Sequence, residues 1–109
     1  MRDWRLDEAI SQTIFREMNE WTVENTPARD ETDTDLYLCE CGDSTCTDAI
    51  ALTRSEYQAV RSVPVRFAIA VDHENPEVDH LVGEFDRYAV VEMLLGPPAR
   101  IALAADPRR

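Results

Sequence analysis

The chain has 109 residues, 44 % hydrophobic and 30 % charged, which suits one globular domain with a modest core. Eleven cations against 22 acids give a formal net charge of -11, which disfavours nucleic-acid backbones and anionic membranes and favours another protein with a basic surface. All eleven cations are Arg, so no lysine is available as nucleophile, Schiff base or P-loop residue.

The opening stretch MRDWRLDEAISQ places charges where a signal peptide needs an apolar run, and no segment approaches the ~20 apolar residues that cross a bilayer. A cytoplasmic location, where thiols stay reduced, is expected. Residues 4–25 are predicted to form an amphipathic helix, with Leu6, Ile10, Ile14, Met18 and Trp21 in one stripe, widened by Phe15. Glu17, Glu20 and Glu24 lie off the stripe. The stripe and Trp4 are expected to enter the core. A helix standing partly off the domain would instead offer its aromatics to a second copy, as a homodimer. Pro27 ends the helix, and residues 27–35 read as an acidic linker, solvated or docking an Arg-rich partner.

Leu36 to Cys41 alternates as a strand, Gly42, Asp43 and Ser44 form a turn, and Ala49 to Leu52 returns antiparallel. Thr53 with Glu56 makes a capping box, and Leu52 with Tyr57 a hydrophobic staple. The helix so started runs to about Arg61, with Tyr57 and Val60 inward, and Pro64 stops it. Phe67, Ile69 and Val71 alternate as a strand, and DHENPE is a loop. Between Glu77 and Phe85, the spacing of Val78, Leu81, Val82 and Phe85 favours a short helix. Tyr88 to Met93 reads as a strand, GPP as a break, and Arg100 to Ala105 as a weak helix or strand before a frayed Asp106–Arg109 tail. The expected fold class is α+β: a long N-terminal helix and short helices packed on a small, mainly antiparallel sheet of about four strands. Residues 1–109 form a single zinc-stapled domain in this reading, with a metal-binding core at 36–93 and a C-terminal tail at 94–109.

All three cysteines fall in one Cys-x-Cys-x4-Cys stretch, Cys39, Cys41 and Cys46. A clustered, odd set in a reducing compartment points to a metal site. Residues i and i+2 of a strand share a face, so Cys39 and Cys41 project together, and the turn brings Cys46 beside them. Zinc takes four N or S ligands in structural sites. Of the two histidines, His73 directly follows the third strand and is favoured as fourth ligand, while His80 is expected on a helix surface. Asp72 and Glu74 flank His73 as candidate partners for its ring. An iron–sulfur cluster, redox-active thiols and inert buried thiols are the alternatives. A full Cys3His shell leaves no position for water and argues against hydrolysis; without His73, zinc would have an open corner, with Glu40 or Glu74 as base. Arg54, Arg61 and Arg66 could form a local basic strip, but the net charge opposes it, and Arg54 and Arg61 are expected to pair with surface acids.

The blocks FREMNE (Phe15–Glu20), YLCECGDSTC (Tyr37–Cys46), IALTRSEYQAVRSVPVRF (Ile50–Phe67), VDHE (Val71–Glu74) and YAVVE (Tyr88–Glu92) occur in this order. In them the chain resembles a family of small, largely uncharacterised actinobacterial proteins. The family's pattern has Pro-Gly before its histidine, where this chain has Val71-Asp72. The resemblance implies Cys39, Cys41, Cys46 and His73 as a set and implies no activity. The expected function is a non-enzymatic zinc-binding adaptor or regulator, with a thiol redox or metal-responsive switch as alternative and a small zinc enzyme behind it.

Overall fold

The computed structural model describes residues 4–27 and 30–108. Helix α1 (Trp4–Asn25) leads into an antiparallel hairpin of β1 (Thr34–Leu38) and β2 (Ala49–Thr53), then α2 (Arg54–Arg61). Strands β3 (Arg66–Ile69), β4 (Asp79–Glu84) and β5 (Ala89–Met93) form an antiparallel sheet in the order β3-β5-β4, and α3 (Pro97–Ala104) closes the chain. The fold is therefore α+β, with five strands in two small sheets.

Local chemistry explains most boundaries. Thr53 accepts from the Glu56 N–H while the Glu56 carboxylate accepts from the Thr53 N–H, the reciprocal cap that starts α2. Two prolines open α3 just after Gly96, where a missing N–H costs no helical hydrogen bond. The segment expected to be a helix around Val78–Phe85 is instead β4. Its register on β5 jumps between Leu81 and Gly83, so a bulge at Val82 mimics helical spacing, and Leu81, Val82 and Phe85 are exposed. His80 lies exposed on this strand rather than on a helix. Ala28 and Arg29 of the acidic linker lie outside the described residues. The tail is docked rather than frayed as far as it is described: Asp106 is buried on Arg61, and Arg108 pairs with Glu20.

Both faces of β3 and β5 in the three-stranded sheet carry packed side chains. Phe67, Ile69, Val91 and Met93 form one cluster with Ala9 of α1, Ala102 of α3, Cys39 and Cys41. Ala68, Tyr88 and Val90 form another with Tyr37, Ile50, Leu52, Tyr57 and Val60 from the hairpin and α2. Tyr37 and Tyr57 stack there with ring centroids 4.5 Å apart.

Helix α1 departs from the expectation in orientation. Its buried residues are Ala9, Gln12, Thr13, Arg16, Asn19 and Glu20, while Ile10, Ile14, Met18 and Trp21 face outward, as does Trp4. The buried polar residues find specific partners, although Gln12 Oε1 and Arg16 Nε have none. Asn19 donates to the Leu38 carbonyl at 2.9 Å and accepts the Leu38 N–H at 2.8 Å, so its amide acts as an extra strand residue against β1. Arg16, fully buried, donates to the carbonyls of Pro64 and Ala102 and lies over the Phe67 ring. Glu20 takes Arg108 and Arg61. Turning the helix to bury its apolar stripe would strand these partners without hydrogen bonds, at roughly 1–3 kcal/mol for each buried group. Arg61, expected at the surface, is buried between Glu20 and Asp106, so it cannot join a basic strip with Arg54 and Arg66.

Gln12 also reaches Asp79, a buried carboxyl that burial pushes from its ordinary 3.8 up to about 7. The raised value favours the neutral form in the folded chain. Its contribution is therefore most favourable below pH 4 and is lost as pH rises toward 7. Asp79→Asn is expected to raise the unfolding midpoint at pH 8 and to leave it unchanged at pH 3.5, checked by urea unfolding across that range.

Candidate metal centre

The hairpin does not end at Leu38. The Cys39 N–H donates to the Asp48 carbonyl at 3.0 Å, which continues the β1–β2 ladder by one pair. The Glu40 N–H then donates to the Ala68 carbonyl at 2.8 Å, which carries the chain across to β3. Cys39 and Cys41 share the face that joins the Phe67 cluster. Glu40 points the other way. Its carboxylate has no exposure and accepts from Asn19 at 2.8 Å, from the Tyr57 hydroxyl at 2.7 Å and from the Ala68 N–H at 2.9 Å. Glu40 is thus held away from the sulfurs and cannot serve as a base beside an ion there.

Between Cys41 and Cys46 the chain turns tightly. Asp43 accepts from the Thr45 N–H and hydroxyl, and the Cys46 N–H donates to the Asp43 carbonyl at 3.0 Å. Gly42 takes φ +84°, and a side chain there would meet Cγ of Glu8 at 2.6 Å and the Glu8 carbonyl at 3.0 Å. The knuckle therefore lies directly on α1, and only glycine meets both demands.

His73 arrives from the other sheet. After β3 the chain turns through Ala70–His73, with the His73 N–H on the Ala70 carbonyl at 3.1 Å and Asp72 at φ 70°. That third turn position favours glycine, and Asp is among the few other residues that tolerate it. Nδ1 of His73 comes within 3.5 Å of the Cys39 sulfur and 3.7 Å of the Cys46 sulfur.

The donor atoms of Cys39, Cys41, Cys46 and His73 all lie within 4.8 Å of one another. A tetrahedron with zinc–sulfur bonds of about 2.3 Å and a zinc–nitrogen bond of about 2.0 Å has edges of about 3.5–3.8 Å, so the separations from Nδ1 fit such an ion. The sulfurs are also prepared for negative charge. Cys39 accepts from the Ala70 N–H at 3.1 Å, and the N–H groups of Asp43 and Asp48 lower Cys41 and Cys46 in the same way. Even so, three adjacent sulfurs resist ionising together. The neighbouring Cys41 sulfur and burial push the Cys39 thiol up, the adjacent Cys39 thiol pulls Cys41 down, and burial pushes Cys46 up. A bound cation would favour the thiolate form of all three.

Asp48 supplies what the flanking acids were expected to give. Its carboxylate sits 3.2 Å from Nε2 of His73, on the side of the ring away from the sulfurs. An N–H at Nε2 leaves the Nδ1 lone pair for an ion. Neither Asp72 nor Glu74 makes this contact; Asp72 is exposed, and one Glu74 oxygen is buried without a hydrogen-bond partner. The role of Asp48 was readable in principle. Extending the hairpin register past Leu38↔Ala49 places Asp48 opposite Cys39.

No protein-family model, curated protein or solved structure matches this chain. The site rests on its own geometry, which brings three thiols and one imidazole into a cluster that could hold a metal ion.

Two substitutions probe this centre. Gly42→Ala is expected to destabilise the protein by about 1–3 kcal/mol, from the left-handed backbone and the collision with α1, as read by urea unfolding. Asp48→Ala is expected to lower metal affinity about tenfold with little effect on the fold, as read by competition with a chromophoric chelator.

Proposed function

We propose that this protein is a small zinc-binding domain with a structural Cys3His site that acts without catalysis, as an adaptor or regulator through protein contacts. The convergence of Cys39, Cys41, Cys46 and His73 within 4.8 Å carries the reading. Four protein donors fill a tetrahedral shell and leave no position for a reacting water. Zinc suits this set better than an iron–sulfur cluster, because donors packed around one point match a single ion, whereas a cluster spreads its ligands over several irons. The site's place in the fold supports a structural role. Its sulfurs belong to the hairpin and knuckle, its imidazole to the turn after β3, and so the ion would staple the two sheets together. A net charge of -11 supports partners with basic surfaces rather than nucleic acid.

Purified protein is expected to carry about one zinc per chain. His73→Ala should weaken zinc binding, Cys46→Ser should weaken it further, and chelation should lower the thermal midpoint. Elemental analysis with calorimetry checks all three. Protein that folds to the same midpoint with no metal, or that holds an iron–sulfur chromophore instead, would overturn the reading.

A further inference from the structure

The inward polar face of α1 leaves its apolar face without cover. Ile10, Ile14, Met18 and Trp21 are 40, 50, 51 and 65 % exposed and follow one line along the helix. Trp4, 46 % exposed, extends the face toward the helix start. Together they expose on the order of several hundred Å² of apolar surface, the scale at which a patch marks an interaction site. The inner hydrogen bonds fix the helix in this orientation, so rotation cannot hide the stripe.

Charge at the edge of the stripe selects among occupants. Glu17 and Glu24, seven residues apart and both exposed, run along one flank. Of the helix's described cations, Arg16 is buried on Pro64 and Ala102, and Arg5 lies over the Trp4 ring, 5.6 Å from its centroid, at the end of the face remote from Glu17 and Glu24. A second copy would bring Glu17 and Glu24 of both chains together, each chain at -11. Anionic lipid headgroups meet the same repulsion.

We propose that the outward face of α1 docks a basic amphipathic helix of another protein. Apolar residues of that helix, at spacings of three and four, would seat among Ile10, Ile14, Met18 and Trp21, and its Arg or Lys side chains would pair with Glu17 and Glu24. This names the partner class for the adaptor reading and rests on it.

Both tryptophans of the chain, Trp4 and Trp21, lie on this helix, so their fluorescence reports directly on the surface. The zinc-loaded full chain is titrated with a Leu/Lys amphipathic peptide of about 18 residues and with its Leu/Glu counterpart. Zinc content, thermal midpoint and sedimentation are measured on the same samples. The expected result is a monomer whose emission shifts to the blue with the Leu/Lys peptide and not with the Leu/Glu peptide. The double variant Ile14→Ser, Met18→Ser should bind at least about tenfold more weakly, and Glu17→Gln with Glu24→Gln about three- to tenfold more weakly, both at unchanged zinc content and midpoint. No binding, equal binding of both peptides, or binding indifferent to Ile14→Ser, Met18→Ser overturns the proposal. So does a dimer that the same double variant dissolves, which gives the face to a second copy, or a blue shift on adding phosphatidylcholine vesicles, which gives it to lipid. Normal zinc content with no peptide binding defeats this proposal alone. Peptide binding by a chain that takes up no metal upholds the docking face and defeats the metal reading.

Discussion

A carboxylate sealed from water organises this molecule. Glu40 sits between two of the clustered cysteines and accepts hydrogen bonds from α1 through Asn19, from α2 through Tyr57 and from β3 through the Ala68 N–H. Its own carbonyl takes the Gln12 amide, and its N–H reaches the Ala68 carbonyl. One residue thereby ties the hairpin, the three-stranded sheet and two helices to a common point. Burial holds its carboxyl above the ordinary range, and the three donors offset that only in part. A buried carboxyl of this kind is tolerable only when its hydrogen-bond partners are in place, so the surrounding elements are fixed relative to one another within narrow limits. The knuckle inherits that rigidity, because Cys39 and Cys41 flank the anchored residue.

This anchoring also explains why α1 turns its polar side inward. Gln12, Arg16 and Asn19 recur at four- and three-residue spacing and all reach backbone carbonyls of neighbouring elements. Arg16 bridges the chain before β3 to α3, a span that apolar side chains would cover without fixing direction. Much of what orients the elements is therefore hydrogen bonding rather than apolar burial. The segments Phe15–Glu20, Cys39–Cys41 and Glu56–Arg61 supply Arg16, Asn19, Glu20, Glu40, Tyr57 and Arg61 to this network.

Local signals in the sequence were reliable and long-range ones were not. The bounds of α1, the Thr53–Glu56 cap and the hairpin follow from periodicity and turn chemistry, which are short-range properties, and the convergence of Cys39, Cys41, Cys46 and His73 follows from ligand chemistry. The direction in which α1 faces does not. Amphipathicity gives two faces, and the usual assumption that the apolar one is buried fails when the polar one finds enough fixed partners. The strand at Asp79–Glu84 was obscured by its bulge, which breaks the two-residue alternation. The alternation that puts Cys39 and Cys41 on one face also puts Glu40 on the other, so its separation from the site was implicit in the same argument that found the site.

The four residues of the candidate metal site are unevenly distributed along the chain, and this bears on the order of assembly. Three thiols lie within one short turn, whereas His73 lies 27 residues beyond Cys46. A growing chain presents a three-sulfur half-site well before its imidazole exists. An ion caught there would be held by a local loop at small entropic cost, and the arrival of His73 would close a longer one across the sheets. Capture would then precede locking, and the last bond formed would be the one that commits the two halves of the fold to each other.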